Sequence, residues 1–194
     1  MAKKKDSTSP NIQALAKPAK ITPEDIRLVK TLNEILASKN DNDPRLDQSF
    51  NHLSSGARYL MEKRFYETPA EKLNEKGTIV FLLGNHLESG ADIDFLGKVL
   101  EEPVCRSLED CNKDANSADA EGAGAHQEVG IEVTLAYPKL MSIKKMESYL
   151  AKPNSEQSHE IQERILNLLQ KQMESPIPAV RRSAERVLQQ YGPR

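Results

Sequence analysis

Two apolar stripes near the C-terminus constrain this chain more than any other feature. Ile161, Ile165, Leu168 and Leu169 follow the spacing i, i+4, i+7, i+8, and Val180, Ala184, Val187 and Leu188 repeat it nineteen residues later. That spacing gathers four apolar side chains on one face of an α-helix. Each helix alone exposes its face, so burying both requires an antiparallel hairpin stacked on a neighbouring hairpin. Pro176 and Pro178 lie between the stripes. Proline lacks an amide donor and disfavours helix in the residue before it. The first helix is therefore expected to end at Ser175 and the second to begin near Pro178, with a tight turn between them.

The rest of the chain also reads as helix, since strict alternation and β-branched runs are scarce. In "TPEDIRLVKTLNEILASKN" Thr22 is a cap, Pro23 takes the first helical position, and Glu24 and Asp25 complement the positive end of the helix dipole. Ile26, Val29, Leu32, Ile35 and Leu36 form its expected apolar stripe. A second helix after "NDNDP" carries Leu46, Phe50, Leu53, Ala57, Leu60 and Met61. "TIVFLL" alone resembles a strand, but the helical spacing through Leu73 and Leu87 assigns it to a third helix. "DIDFLGKVLEE", "PVCRSLEDC" and "IEVTLAYPKLMSIKKMESYL" continue the pattern, and Pro138 is expected to kink or split the last of these. The fold class is all-α. Residues 1–20, rich in Lys, Ser, Thr and Pro, read as a flexible basic tail. Residues 112–128, built from Ala, Gly, Asp, Asn and Ser, read as a mobile insertion in a single domain spanning 21–194.

The stretch "LLQKQMESPIPAVRRSAERVLQQYG" resembles a HEAT repeat, a member of the armadillo-type helical repeats. Leu168, Leu169, Met173, Pro176, Pro178, Val180, Arg181, Ala184 and Leu188 match the family pattern in order, and Ser175 stands where the family commonly has Asp. The match covers residues 161–191. Fainter echoes are "LEEPVCRSLEDC", with Pro103, Val104, Arg106 and Ser107, and "DPRLDQSFNHL". Their unequal distances give no uniform period. The resemblance implies a short, irregular HEAT-like α-solenoid of antiparallel helix pairs; the alternative is an irregular helical bundle.

Charge and cysteine content bound the environment. The 29 acids against 27 bases give a formal charge of -2, with 14 acids against 5 bases in residues 67–128. An acidic middle argues against general nucleic-acid binding, which needs a continuous basic surface. No apolar stretch is long enough for a membrane span or for the core of a secretory signal. Cys105 and Cys111 are the only cysteines. On one helix they would stand about 9 Å apart along the axis and roughly 240° around it, beyond disulfide reach. The expectation is two free thiols in the cytoplasm.

The chemistry-bearing residues form no catalytic pattern. "GNHLESG" lacks the lysine of a phosphate cradle, no dinucleotide fingerprint occurs, and His52, His86, His126 and His159 show no i, i+4 pair for a metal. Glu101, Glu102, Glu109 and Asp110 beside the cysteines would raise a thiol pKa and so suppress its nucleophilicity. No cofactor or metal site is expected, and no catalytic residue.

The reading for function is a non-enzymatic interaction module. By resemblance, second helices of HEAT repeats line the concave surface where partners bind, which makes Arg182, Glu185, Arg186 and Gln189 the first candidate contact. Asp92, Asp94 and Glu102, from the acidic segment, are expected to favour a protein partner with a basic contact region. Lys98, Arg106 and Glu109 form a weaker candidate. The alternatives are a nucleic-acid-associated protein resembling the alkylpurine DNA glycosylases of the HEAT-like fold, and an enzyme of unrecognised type.

Overall fold

The computed structural model describes residues 18, 20–105, 111, 125–153 and 157–192, with the backbone alone at 125–129. The described residues contain nine helices and no strand. The chain divides into two compact units, Met1–Pro69 and Ala70–Arg194, where the sequence placed one domain from residue 21. The expected tail falls almost wholly outside the described residues, as does most of the expected insertion. Its last four residues are helical instead, because α6 (Ala125–Leu135) begins within it.

In the first unit α1 (Pro23–Ser38) packs on α3 (Ser55–Glu67), with α2 (Arg45–Gln48) a single turn between them. The single helix expected over Leu46–Met61 is thus split, and Ser54 starts a new one by accepting from the Ala57 amide at 3.0 Å. Leu32, Ile35, Leu36, Phe50, Ala57, Met61 and Phe65 are buried as the core. The stripe on α1 differs at its start: Ile26 is 60% exposed, whereas Asp25 is 5% exposed. The cause is polar. Asp25 Oδ2 accepts from the Thr22 amide at 2.7 Å, closing a capping box, and Asp25 Oδ1 accepts from the Ser54 hydroxyl. One carboxylate therefore serves the start of both helices. A Cβ on Gly56 would collide with that carboxylate, so the contact requires glycine.

The second unit holds α4 (Leu73–Gly84), α5 (Gly90–Glu101), α6, α7 (Tyr137–Leu150), α8 (His159–Gln172) and α9 (Pro178–Tyr191). The TIVFLL segment lies inside α4. Pro138 sits in the first turn of α7 and α6 ends at Leu135, so the expected split occurs. Helix α8 ends at Gln172, and hydrogen bonds from Met173, Glu174 and Ser175 back three residues tighten the chain into the turn before Pro178. Ile161, Ile165 and Leu169 on α8 and Val180, Ala184 and Val187 on α9 are buried, as their spacing requires.

The packing has a simple order. Helix α4 packs on α5 and α7, α5 on α7 and α8, α7 on α8 and α9, and α8 on α9, while α6 packs on α7. Apart from α6, the principal contacts join each helix to the next and the next but one. Glycines permit two of these approaches. The Tyr137 ring and the Lys145 stem of α7 lie where side chains on Gly77 and Gly84 of α4 would stand. Arg164 and Leu168 of α8 lie similarly over Gly90 and Gly97 of α5.

The two cysteines correct the expectation of free thiols: Cys105 and Cys111 form a disulfide with their Cα atoms 4.2 Å apart. The earlier geometry assumed a shared helix. Helix α5 ends at Glu101, and Pro103 follows, so Cys105 lies outside it. The inference of a reducing compartment loses its basis.

Candidate interaction surface

The four residues predicted on α9 do not act alike. Glu185 and Gln189 are exposed, and Gln189 Nε2 donates to Glu185 Oε1 at 3.3 Å. Arg182 is exposed but stands 3.8 Å from Glu132 Oε1 of α6. Glu132 also accepts from the Ala179 amide, placing a carboxylate at the positive end of α9. Arg186 is held most firmly. Its two terminal nitrogens donate to the two oxygens of Glu147 on α7, one at 2.8 Å. The hydrogen bonds from Arg186 hold the Glu147 carboxyl below its ordinary range, and the same bonds raise the guanidinium.

The acidic candidates are dispersed along α5. Asp92 Oδ2 accepts from the Ser89 amide and hydroxyl, both at 2.8 Å, and from the Glu88 amide at 3.0 Å, so it caps the start of the helix. Asp94 accepts from Arg164 of α8 at 3.2 Å. Glu102 lies past the other end of α5, where both carboxylate oxygens accept from Lys76 Nζ at 2.8 Å. Lys98 is half-buried on α5, while Arg106 and Glu109 lie outside the described residues. All three acids expected to meet a basic partner therefore already have partners within the protein, Asp94 the most exposed of them.

A grouping the sequence reading missed spans α4, α7 and α9. Helix α7 exposes Lys144 and Ser148 and half-exposes Leu140 and Glu147. Glu147 joins it to α9 through Arg186. On the other side Lys145 Nζ donates to Asn85 Oδ1, just past α4, and lies 3.7 Å from the centroid of the Phe81 ring. Phe81 is half-buried and Asn85 exposed, so this contact borders solvent although Lys145 itself is 8% exposed. Burial, and after it the charge of Lys144, pushes the Lys145 amine down to about 8. The available signal was a lysine inside an apolar i, i+4 register, Met141, Lys145 and Tyr149.

Among the described residues no three His, Cys, Asp or Glu side chains are grouped to hold a metal ion, and no helix is long and apolar enough to cross a membrane. No protein-family model, curated protein or solved structure matches the chain.

Proposed function

We propose that the chain is a non-enzymatic interaction module in which residues 70–194 form a short HEAT-like array and bind a protein partner on the face made by α4, α7 and α9. The observation that carries this reading is the order of helix contacts. In a double row of antiparallel helices each member meets its hairpin partner and the same-row helix of the next hairpin, which are its neighbours one and two steps along the chain. The contacts of α4, α5, α7, α8 and α9 follow that rule. One row is then α4, α7 and α9, and the other α5 and α8. The first row contains the second helix of the HEAT-like stretch; it exposes Lys144, Glu185 and Gln189 and leaves Phe81 half-buried.

The partner is recognised by spread-out polar and aromatic side chains on rigid helices. Asp92 and Glu102 are excluded from the contact by their internal roles, so a basic partner is no longer the favoured one. The experiment is capture of the partner from cell extract by the wild-type protein, by Glu185→Lys with Gln189→Lys, and by Glu163→Lys on exposed α8. Loss with the α9 pair and retention with the α8 change supports the reading. Recovery of nucleic acid, or consumption of a bound metabolite, overturns it.

A further inference from the structure

We propose that the amine of Lys145, flanked by Lys144 and Asn85 and resting on Phe81, receives a single carboxylate from an acidic segment of a protein partner. This rests on the interaction role proposed above and specifies its chemistry. The second unit buries three lysines, Lys76, Lys139 and Lys145. Two are compensated inside the protein. Lys76 pairs with the Glu102 carboxylate, and Lys139 donates to the carbonyls of Leu100 and Glu102, with Glu101 and Glu102 offsetting its charge. Lys145 is not compensated in this way. Its neighbours are an amide oxygen, an aromatic face and a second lysine.

A protonated amine has three N–H donors. One meets Asn85 and the Phe81 ring covers a second direction, leaving the third without an acceptor among the described residues. A cation removed from water without an opposite charge is unfavourable, and an arriving anion offsets that penalty. The contact borders solvent, because Asn85 is exposed and Phe81 only half-buried. Lys144 is exposed and forms no ion pair among the described residues, while Arg186 is held in a two-point pair with Glu147. Lys144, Lys145 and Arg186 thus outnumber Glu147 and Glu185 on α7 and α9. A single carboxylate carries the one negative charge that the uncompensated Lys145 amine lacks, whereas a phosphate group brings a charge of about -1.5 to -2.

The test uses the full chain and a fluorescein-labelled octaglutamate peptide, followed by fluorescence polarisation at low salt. Saturable binding is expected, weakened about tenfold or more by Lys145→Met, weakened less by Lys144→Gln, and unchanged by Lys171→Gln on α8. Methionine keeps a stem over Gly84, and thermal melting checks that the variant folds; Lys144→Gln, an exposed change, tests the site independently. Equal binding by wild type and both variants, or preference for an oligolysine peptide, would overturn the proposal. So would displacement by millimolar inorganic phosphate that depends on Lys145, since that assigns the site to phosphate. A captured partner that requires Glu185 and Gln189 but not Lys145 would leave the interaction role standing and sink this inference alone.

Discussion

Replacing Gly84 by alanine puts a methyl group where the stem of Lys145 already lies. A Cβ built on Gly84 comes within 2.7 Å of Lys145 Cβ, and closer still to Cγ. Lys145 Cβ is fixed by the α7 backbone, so rotating the lysine side chain cannot relieve the first overlap; the helices must separate. Overpacking of this kind costs about 1–3 kcal/mol. Alanine returns about 0.5–1 kcal/mol of helix propensity, and returns less at Gly84, the last residue of α4. The net expectation is destabilisation by about 1–2 kcal/mol. Gly130 in α6 is the control, because a Cβ there meets nothing within 4 Å. Gly130→Ala should stabilise by about 0.5–1 kcal/mol. Urea denaturation followed by circular dichroism compares the two midpoints with wild type. Opposite shifts are expected. An upward shift for both would refute the close approach of α4 and α7, and with it the first step of the helix order.

Three further outcomes follow from particular side chains. Val180 is fully buried, so Val180→Asp should cost about 3 kcal/mol or more, whereas exposed Arg182→Ala should cost about 0.5 kcal/mol or less; urea midpoints check the ranking. The hydroxyl of Ser54, then the amide of Thr22, hold the Asp25 carboxyl below its ordinary range. Its contribution is present above the unfolded carboxylate pKa and is lost as pH falls through the lower folded value, so Asp25→Asn should flatten the acid side of the stability profile, read by circular dichroism. For Lys145 the slope has the same sign, but it comes from relief of an unfavourable buried charge rather than from gain of a favourable one. The folded amine, near 8, loses its proton before the unfolded one, so stability should gain a rising contribution with pH from about 8 to about 10.4, and Lys145→Met should remove it; a constant difference in midpoint between the two proteins across pH 7–10 would contradict this.

Local signals were legible in the sequence and long-range partners were not. Pro138, Pro176 and Pro178 act through their own backbone, so the helix breaks they impose could be read directly. The stripes on α8 and α9 were legible because each lies within one helix. Asp25 was recognisable as a first-turn acid, but its burial depends on Ser54, 29 residues away, and that displaced Ile26 from the core. Asp92 had a readable local role, since Ser89 and Asp92 have capping-box spacing; Glu102 did not, because its partner Lys76 lies 26 residues away. The cysteine expectation failed at its premise of a shared helix: the Cys105 and Cys111 Cα atoms are 4.2 Å apart, whereas six residues of helix would separate them by about 9 Å along the axis. On the candidate face, Glu185 and Gln189 followed from helical periodicity. Lys145 required knowing that α4 packs against α7, with Phe81 and Asn85 meeting it from a segment 60 residues earlier.

The central claim is that a protein partner binds the α4, α7 and α9 face. Site-specific photocrosslinking tests it most directly, with a benzophenone amino acid placed at Gln189 on α9 and, in a second protein, at Lys171 on α8; both positions are exposed. Irradiation in cell extract should give a discrete protein adduct from position 189, none from position 171, and loss of the first adduct when Glu185→Lys is added. Adducts of equal yield from both positions, or a nuclease-sensitive adduct in place of a protein one, would contradict the account.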